Sequence, residues 1–211
     1  AAYLQPVLHR PNLRIETFAQ VTRLLFEGKR AVGVEYVHEE QIKQVRVEGE
    51  IILSAGSINS PQMLLCSGIG SGEQLRALGI PVVVDLPGVG ENLQDHPLLR
   101  VLFQSLAPLR VDTSLSSPAY GDYLQNKSGA FLSTRTFAGA FWKTRPDIPA
   151  PDMQVFFTIG ETRDNNDFSI GLSLMRPKSR GVVRLATANP FDYPVIDPNY
   201  LAEADDVRVF V

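Results

Sequence analysis

The segment Ser54-Ala55-Gly56-Ser57-Ile58-Asn59-Ser60-Pro61 has the form of a small-residue turn leading into a helix start. Such a turn lets a ligand approach the backbone, and the first helical N–H groups point at it with the favourable end of the dipole. An anionic or electron-rich group is what that geometry holds. Taken on local sequence alone, plain capping is the simpler account, with Gly56 permitting the turn and Asn59 or Ser60 capping the helix. Two glycine clusters, Gly68-Ile69-Gly70-Ser71-Gly72 and Gly88-Val89-Gly90-Glu91-Asn92, resemble partial dinucleotide fingerprints. Each fails at the third glycine, where Glu73 and Leu93 stand, so both read as turns. His96 follows Asp95 directly, and adjacency stops that carboxylate from orienting the imidazole as in a catalytic triad; a structural or cofactor-proximal role suits the pair better. Ser179, between Lys178 and Arg180, has the chemistry to bind an anion, although a solvated turn is the simpler expectation. No cysteine or histidine pair stands at metal-ligand spacing.

The elements that must position these groups follow from pattern. Leu13 to Thr17 alternates, and Val21 to Phe26 is a second strand-like run. Glu27-Gly28-Lys29-Arg30 then reads as a hairpin turn into Ala31 to Val37, and Val45 to Glu48 continues an antiparallel meander. Ile51-Ile52-Leu53 is apolar on both faces, as in a strand of a covered sheet. Pro61 suits the first position of the following helix, and Gly68 closes it. A second helix, Glu73 to Leu78, stops at Gly79, and Val82-Val83-Val84 follows as a strand.

Beyond about Pro97 the chain is richer in aromatics and proline, with alternating strands, and a second domain is expected there. Ser117-Pro118 starts a helix over Tyr120 to Asn126. Met153 to Ile159, Phe168 to Leu174 and Val182 to Leu185 are strands, and Asn189 to Pro198 is a loop. On the second of these, Phe168, Ile170, Leu172 and Leu174 share one face and Ser169, Gly171 and Ser173 the other. Ala202 to Val211 is helical. Its pattern has no stop signal and the chain opens on Ala1, so an internal fragment is expected.

Composition narrows the function classes. The 211 residues are 44% hydrophobic with 16 Gly and 15 Pro, which fits an ordinary globular chain. Twenty Lys and Arg against 23 Asp and Glu give a net charge of -3 with no basic block, so nucleic acid is not an expected partner. No apolar run approaches the roughly 20 residues of a membrane helix. The one cysteine, Cys66, fits a reducing, cytoplasmic compartment.

Gly56 to Gly70, read as GSINSPQMLLCSGIG, closely resembles the second signature of the glucose-methanol-choline (GMC) flavin oxidoreductases. Arg10-Pro11-Asn12-Leu13, Leu78 to Val82, Asp85 to Pro97, Arg176 to Gly181 and Asp197 to Leu201 extend the resemblance in order along nearly the whole chain. It looks most like the bacterial choline-dehydrogenase-like alcohol dehydrogenases. Ser71, where proline is usual, and Cys66 depart from the pattern.

The resemblance implies an α/β fold of mixed α+β character. Residues 1–97 would be the later part of a Rossmann-like FAD-binding domain with an antiparallel meander, and residues 98–211 part of an antiparallel-sheet substrate domain. It implies FAD as cofactor, held at the adenosine end by the backbone of Val21, with Ser54, Ala55, Gly56 and Asn59 near it. The reaction implied is hydride transfer from an alcohol carbon to flavin N5, on choline, an aryl alcohol, a sugar or an aliphatic alcohol. Gln154, Phe156 and Thr158 share a face of their strand, and whether that face or the opposite one looks at substrate stays open. The family's G-x-G-x-x-G phosphate loop and its catalytic histidine segment have no match among these residues, so no catalytic residue is assigned and the isolated piece is expected to be inert. The alternative is a non-catalytic binding or scaffold protein of the same fold, using residues 98–176 for a small apolar ligand.

Overall fold

A computed structural model describes residues 2–106, 109, 114–132, 136–159 and 167–211. In chain order its regular elements are β1 (Gln20–Glu27), β2 (Arg30–His38), β3 (Gln41–Arg46), α1 (Gly56–Cys66), β4 (Ile69–Gly70), α2 (Gly72–Ala77), β5 (Val84–Asp85) and β6 (Leu98–Gln104), followed by α3 (Pro118–Asn126), β7 (Thr136–Trp142), β8 (Met153–Ile159), β9 (Asp167–Leu174), β10 (Val182–Arg184), β11 (Val195–Asp197) and α4 (Ala204–Phe210). The fold is mixed helix and strand. The chain forms two compact units, Ala1–Leu93 with Val182–Asp197, and Gln94–Gly181 with Pro198–Val211.

In the first unit the meander is present as β1-β2-β3. Gly28, at φ 60°, and Lys29 make a two-residue turn that pairs Glu27 with Arg30. A second tight turn places Glu39 and Glu40 at positive φ, with His38 opposite Gln41, so the third strand starts earlier than the polar composition of 39–43 predicts. Leu13 to Thr17, expected as a strand, makes no ladder. Neither does Ile51-Ile52-Leu53, where Ile52 is 82% exposed. Apolar content alone does not make a strand where no neighbour offers its backbone.

Helix α1 begins at Gly56, with Ala55 at its N-cap, five residues ahead of the position that Pro61 suggests. Pro61 therefore lies inside the helix, where its missing N–H leaves the Ser57 carbonyl without an intrahelical donor. Ser60 is not the cap either; its Oγ accepts from the Ala55 N–H at 3.1 Å, reaching back to the turn. The helix does end at Gly68, with φ +84°. Ser67, at the C-cap, accepts from the Leu24 N–H at 2.8 Å and donates to the Met63 carbonyl at 2.5 Å, fixing α1 on β1. Ser67→Ala is expected to lower stability by about 1–3 kcal/mol, because the buried Leu24 N–H loses its acceptor. Urea unfolding checks this.

Leu65, Leu75 and Ile80 form the core of this unit, packed by Leu78, Val82, Val89 and Leu185. Val82-Val83-Val84 contributes only its last residue to a strand: β5 pairs with β4 in parallel over two residues. The segment expected to be a loop after Asn189 contains β11, which pairs antiparallel with β10.

The second unit is built on a four-stranded antiparallel sheet, order β6-β9-β8-β7. Alternation on β9 is as the sequence predicts, yet the small-residue face is the more covered: Ser169 is 1% and Ser173 5% exposed. Leu98 on β6 and Phe156 on β8 close over Gly171, where an added Cβ would stand 3.2 Å from the Leu98 Cδ1. On the other face Phe103 stacks on Phe168 at 5.0 Å. Helix α3 has the expected cap, Ser117 accepting from the Tyr120 N–H.

Candidate functional site

Two places in the first unit have the form of a ligand site. Ser54, Ala55, Gly56 and Asn59 come together at the N-terminal end of α1, all four exposed. Ala55 offers no side-chain cap, so the first-turn N–H groups of α1 stay open to an acceptor. Gly56 has φ +87° with nothing within 4 Å of an added Cβ. A side chain would fit there only with backbone strain, so conformation is what selects glycine. This end of the helix can hold a partial negative charge and lets a flat group approach the backbone.

Val21 lies elsewhere, on β1. It lines a groove of about 450 Å³ together with Val34, Tyr36, Val45, Arg14 and Glu16. β1 is an edge strand of its sheet, so no fourth strand among the described residues takes its outward N–H and C=O groups. Apolar walls beside an edge strand suit a planar heteroaromatic ring, which gains stacking contact there. Glu16 adds an acceptor, steadied by Arg14 at 3.1 Å and facing His38 Nδ1 at 3.6 Å. The walls were not read from sequence: Tyr36 and Val34 lie in an ordinary β pattern, and only the pairing of Val21 with Tyr36 brings them to one place.

The remaining candidates resolve into structure. Gly88-Val89-Gly90 is a turn, as expected; Ile69-Gly70 is strand. Asp95 accepts from the Tyr200 hydroxyl and from the His96 N–H. The negative charge of Asp95 keeps the Tyr200 phenol above its usual pKa through that hydrogen bond. Ser179 does bind an anion, but the anion is this chain's own. Asp206 Oδ2 accepts from the Ser179 N–H at 2.8 Å and from its Oγ at 2.5 Å, and Oδ1 accepts from the Lys178 N–H at 2.7 Å. Ser179 and Asp206 are 5% and 2% exposed, so the solvated-turn expectation is corrected. The signal for this pairing is a carboxylate in a helical first turn, far along the chain, which local reading does not connect to the turn.

Cys66 is half-buried, and burial pushes its thiol up. Among the described residues there is no group of three or more His, Cys, Asp or Glu placed to hold a metal. No described helix is long and apolar enough to cross a membrane.

Residues 1–98 match the GMC oxidoreductase family model. Mitochondrial choline dehydrogenase of Mus musculus is 42% identical over 99% of this chain and 37% of its own length. Alcohol dehydrogenase [acceptor] of Pseudomonas putida is 35% identical over 100% of this chain and 41% of its own. Among solved structures, pyridoxine 4-oxidase from Mesorbium loti superposes with a TM-score of 0.81 at 27% identity, over 98% of this chain and 39% of that one. The chain thus spans about two-fifths of the length of the relatives it matches. The resemblance of residues 56–70 to the flavin-family signature, the family model over the first 98 residues and identity of 35–42% along nearly all 211 make this chain similar to the GMC oxidoreductases.

Proposed function

We propose that the protein containing these residues is a FAD-dependent oxidoreductase acting on the CH–OH group of a small-molecule alcohol. The alignment with choline and alcohol dehydrogenases across the whole chain carries this reading. FAD, when bound, supplies the acceptor for a hydride leaving the alcohol carbon. The residues here fit it. Val21 offers a strand edge, and Val34, Tyr36 and Val45 offer apolar walls for the adenine; Glu16 offers an acceptor for an amine or hydroxyl. The open first turn of α1, with Ser54, Ala55, Gly56 and Asn59, supplies N–H groups toward an electron-rich part of the cofactor.

Residues 1–97 are then the later part of the FAD-binding domain and residues 98–211 part of the substrate domain, except that Val182–Asp197 falls in the first compact unit and goes with the FAD-binding part. We assign the Gln154, Phe156 and Thr158 face of β8 to the substrate side. It sets Gln154 and Thr158 beside Ser173 and Ser169, whereas the opposite face is continuously apolar from Leu99 through Ile170 and Leu172 to Val155. A single cysteine fits a reducing compartment such as the cytoplasm.

Val21→Trp tests the adenine groove. An indole fills it, while a tryptophan suits an edge strand, and FAD retention by the full-length protein should weaken at least about tenfold. Unchanged flavin content after dialysis would remove Val21 from the cofactor site.

A further inference from the structure

The second unit holds a cavity of about 280 Å³ that the cofactor and alcohol reading does not use. Three stretches meet around it: the connection from β7 to β8, the segment leaving β9, and α4. Its floor is apolar. Leu174, 1% exposed, lies at the base, and Ile148, Pro149, Ala150 and Val209 complete the walls.

The charged groups at this cavity decide what it accepts. Three carboxylates line it, and each has partners inside the protein. Asp206 is saturated by the Lys178 and Ser179 N–H groups and the Ser179 hydroxyl. Asp205 pairs with Lys178 and with Arg208, the latter at 2.6 Å. Asp152 accepts from the Thr144 N–H at 2.9 Å and from its Oγ1 at 2.6 Å. Four cations face them, Arg145, Arg176, Lys178 and Arg208. Lys178 and Arg208 are spent on Asp205. Arg145 has only a loose 3.7 Å contact with Asp147 and the long-range attraction of Asp152 and Asp205. Arg176 has neither a hydrogen bond nor an ion pair among the described residues. The cavity therefore carries one more positive charge than negative, beside an apolar floor.

We propose that this cavity binds a small monocarboxylate with an apolar body, its hydrocarbon part on Leu174 and its carboxylate forked onto the Arg176 guanidinium. Charge matching separates this from the other ligand classes. A guanidinium takes a carboxylate through two parallel N–H···O bonds. A dianionic phosphate finds the same fork but meets three carboxylates around it. A neutral alcohol or amide leaves the guanidinium uncompensated.

Calorimetric titration of the full-length protein tests this with sodium benzoate as the probe, against benzamide and inorganic phosphate. Benzoate should bind saturably, and benzamide and phosphate at least about tenfold more weakly. Arg176→Gln should weaken benzoate by about tenfold, with Arg176→Lys in between, because charge survives but the fork does not. Ala150→Trp, which fills the cavity and leaves every charged residue in place, should abolish the same signal. Neither Arg176→Gln nor Ala150→Trp should shift thermal unfolding by more than a few degrees. Benzoate binding that persists in both variants belongs elsewhere and overturns the proposal. Equal binding of benzamide, tighter binding of phosphate, or no saturable benzoate binding also overturns it.

Discussion

Gly90→Ala is expected to destabilise the first unit by about 2–5 kcal/mol, lowering its unfolding midpoint by about 10 °C. Two costs add. Gly90 has φ +81°, where an L side chain is strained, and an added Cβ would sit inside contact distance of the Val183 carbonyl oxygen. The obstacle is backbone, so no rotamer change relieves it. The same approach carries a hydrogen bond, Val183 N–H to the Gly90 carbonyl at 2.6 Å, and beside it Arg184 pairs with Glu91 at 2.7 Å and donates to Gln74 at 3.0 Å. Gly79→Ala separates the terms. Its φ is +73° with nothing within 4 Å of an added Cβ, so it should cost only the conformational part, about 1–2 kcal/mol. Equal losses for the two variants in urea titrations would show that the Gly90–Val183 approach contributes nothing.

Asp206→Asn carries the second large effect, a loss of about 2–4 kcal/mol. The amide keeps one acceptor oxygen but turns an NH₂ toward groups that themselves donate, leaving at least one buried N–H or hydroxyl unpaired. Burial by itself would raise the Asp206 carboxyl. The hydrogen bonds from Lys178 and Ser179 outweigh it, with help from the charge of Arg180, so the group sits below its usual carboxylate range. A lowered folded-state value stabilises fully above the unfolded-state value, about 3.9, and the stabilisation is lost as pH falls through the folded-state value. The difference between wild type and Asp206→Asn should thus be constant from about pH 5 to pH 8 and shrink below about pH 4. A difference that grew toward acid would contradict the assignment of Asp206 as a buried anion.

These two positions also mark where sequence reading stops. Gly90 was legible as a turn glycine, because glycine-rich turns have a local signature. The demand made on it by Val183 comes from the β10 segment far downstream. Ser179 between two basic residues was legible as an anion binder, but the anion, Asp206, is fixed only by the return of α4. Elements governed by local chemistry came through: the Gly28-Lys29 hairpin, the Ser117-Pro118 helix start, and β8 and β9 with their alternation. Those needing a partner did not, since Ile51–Leu53 has strand composition and no ladder, while Val195–Asp197 pairs with β10 inside a proline-punctuated stretch. Helix α1 began early for a related reason. Pro61 is a strong local start signal, yet the turn at Ala55-Gly56 had already set the helix going. As for the candidate site, the Ser54–Gly56 turn could be found by its small residues and by the family signature around it. The groove wall of Tyr36, Val34 and Val45 needed the register of the meander.

The direct test of the proposed chemistry is anaerobic mixing of the full-length protein, as purified, with choline, benzyl alcohol and a primary aliphatic alcohol while its visible absorbance is followed. A FAD-dependent alcohol oxidoreductase shows a flavin spectrum that at least one of these alcohols bleaches, more slowly when the carbinol carbon carries deuterium. A protein that holds no flavin, or whose flavin stays oxidised with all three, would contradict the account.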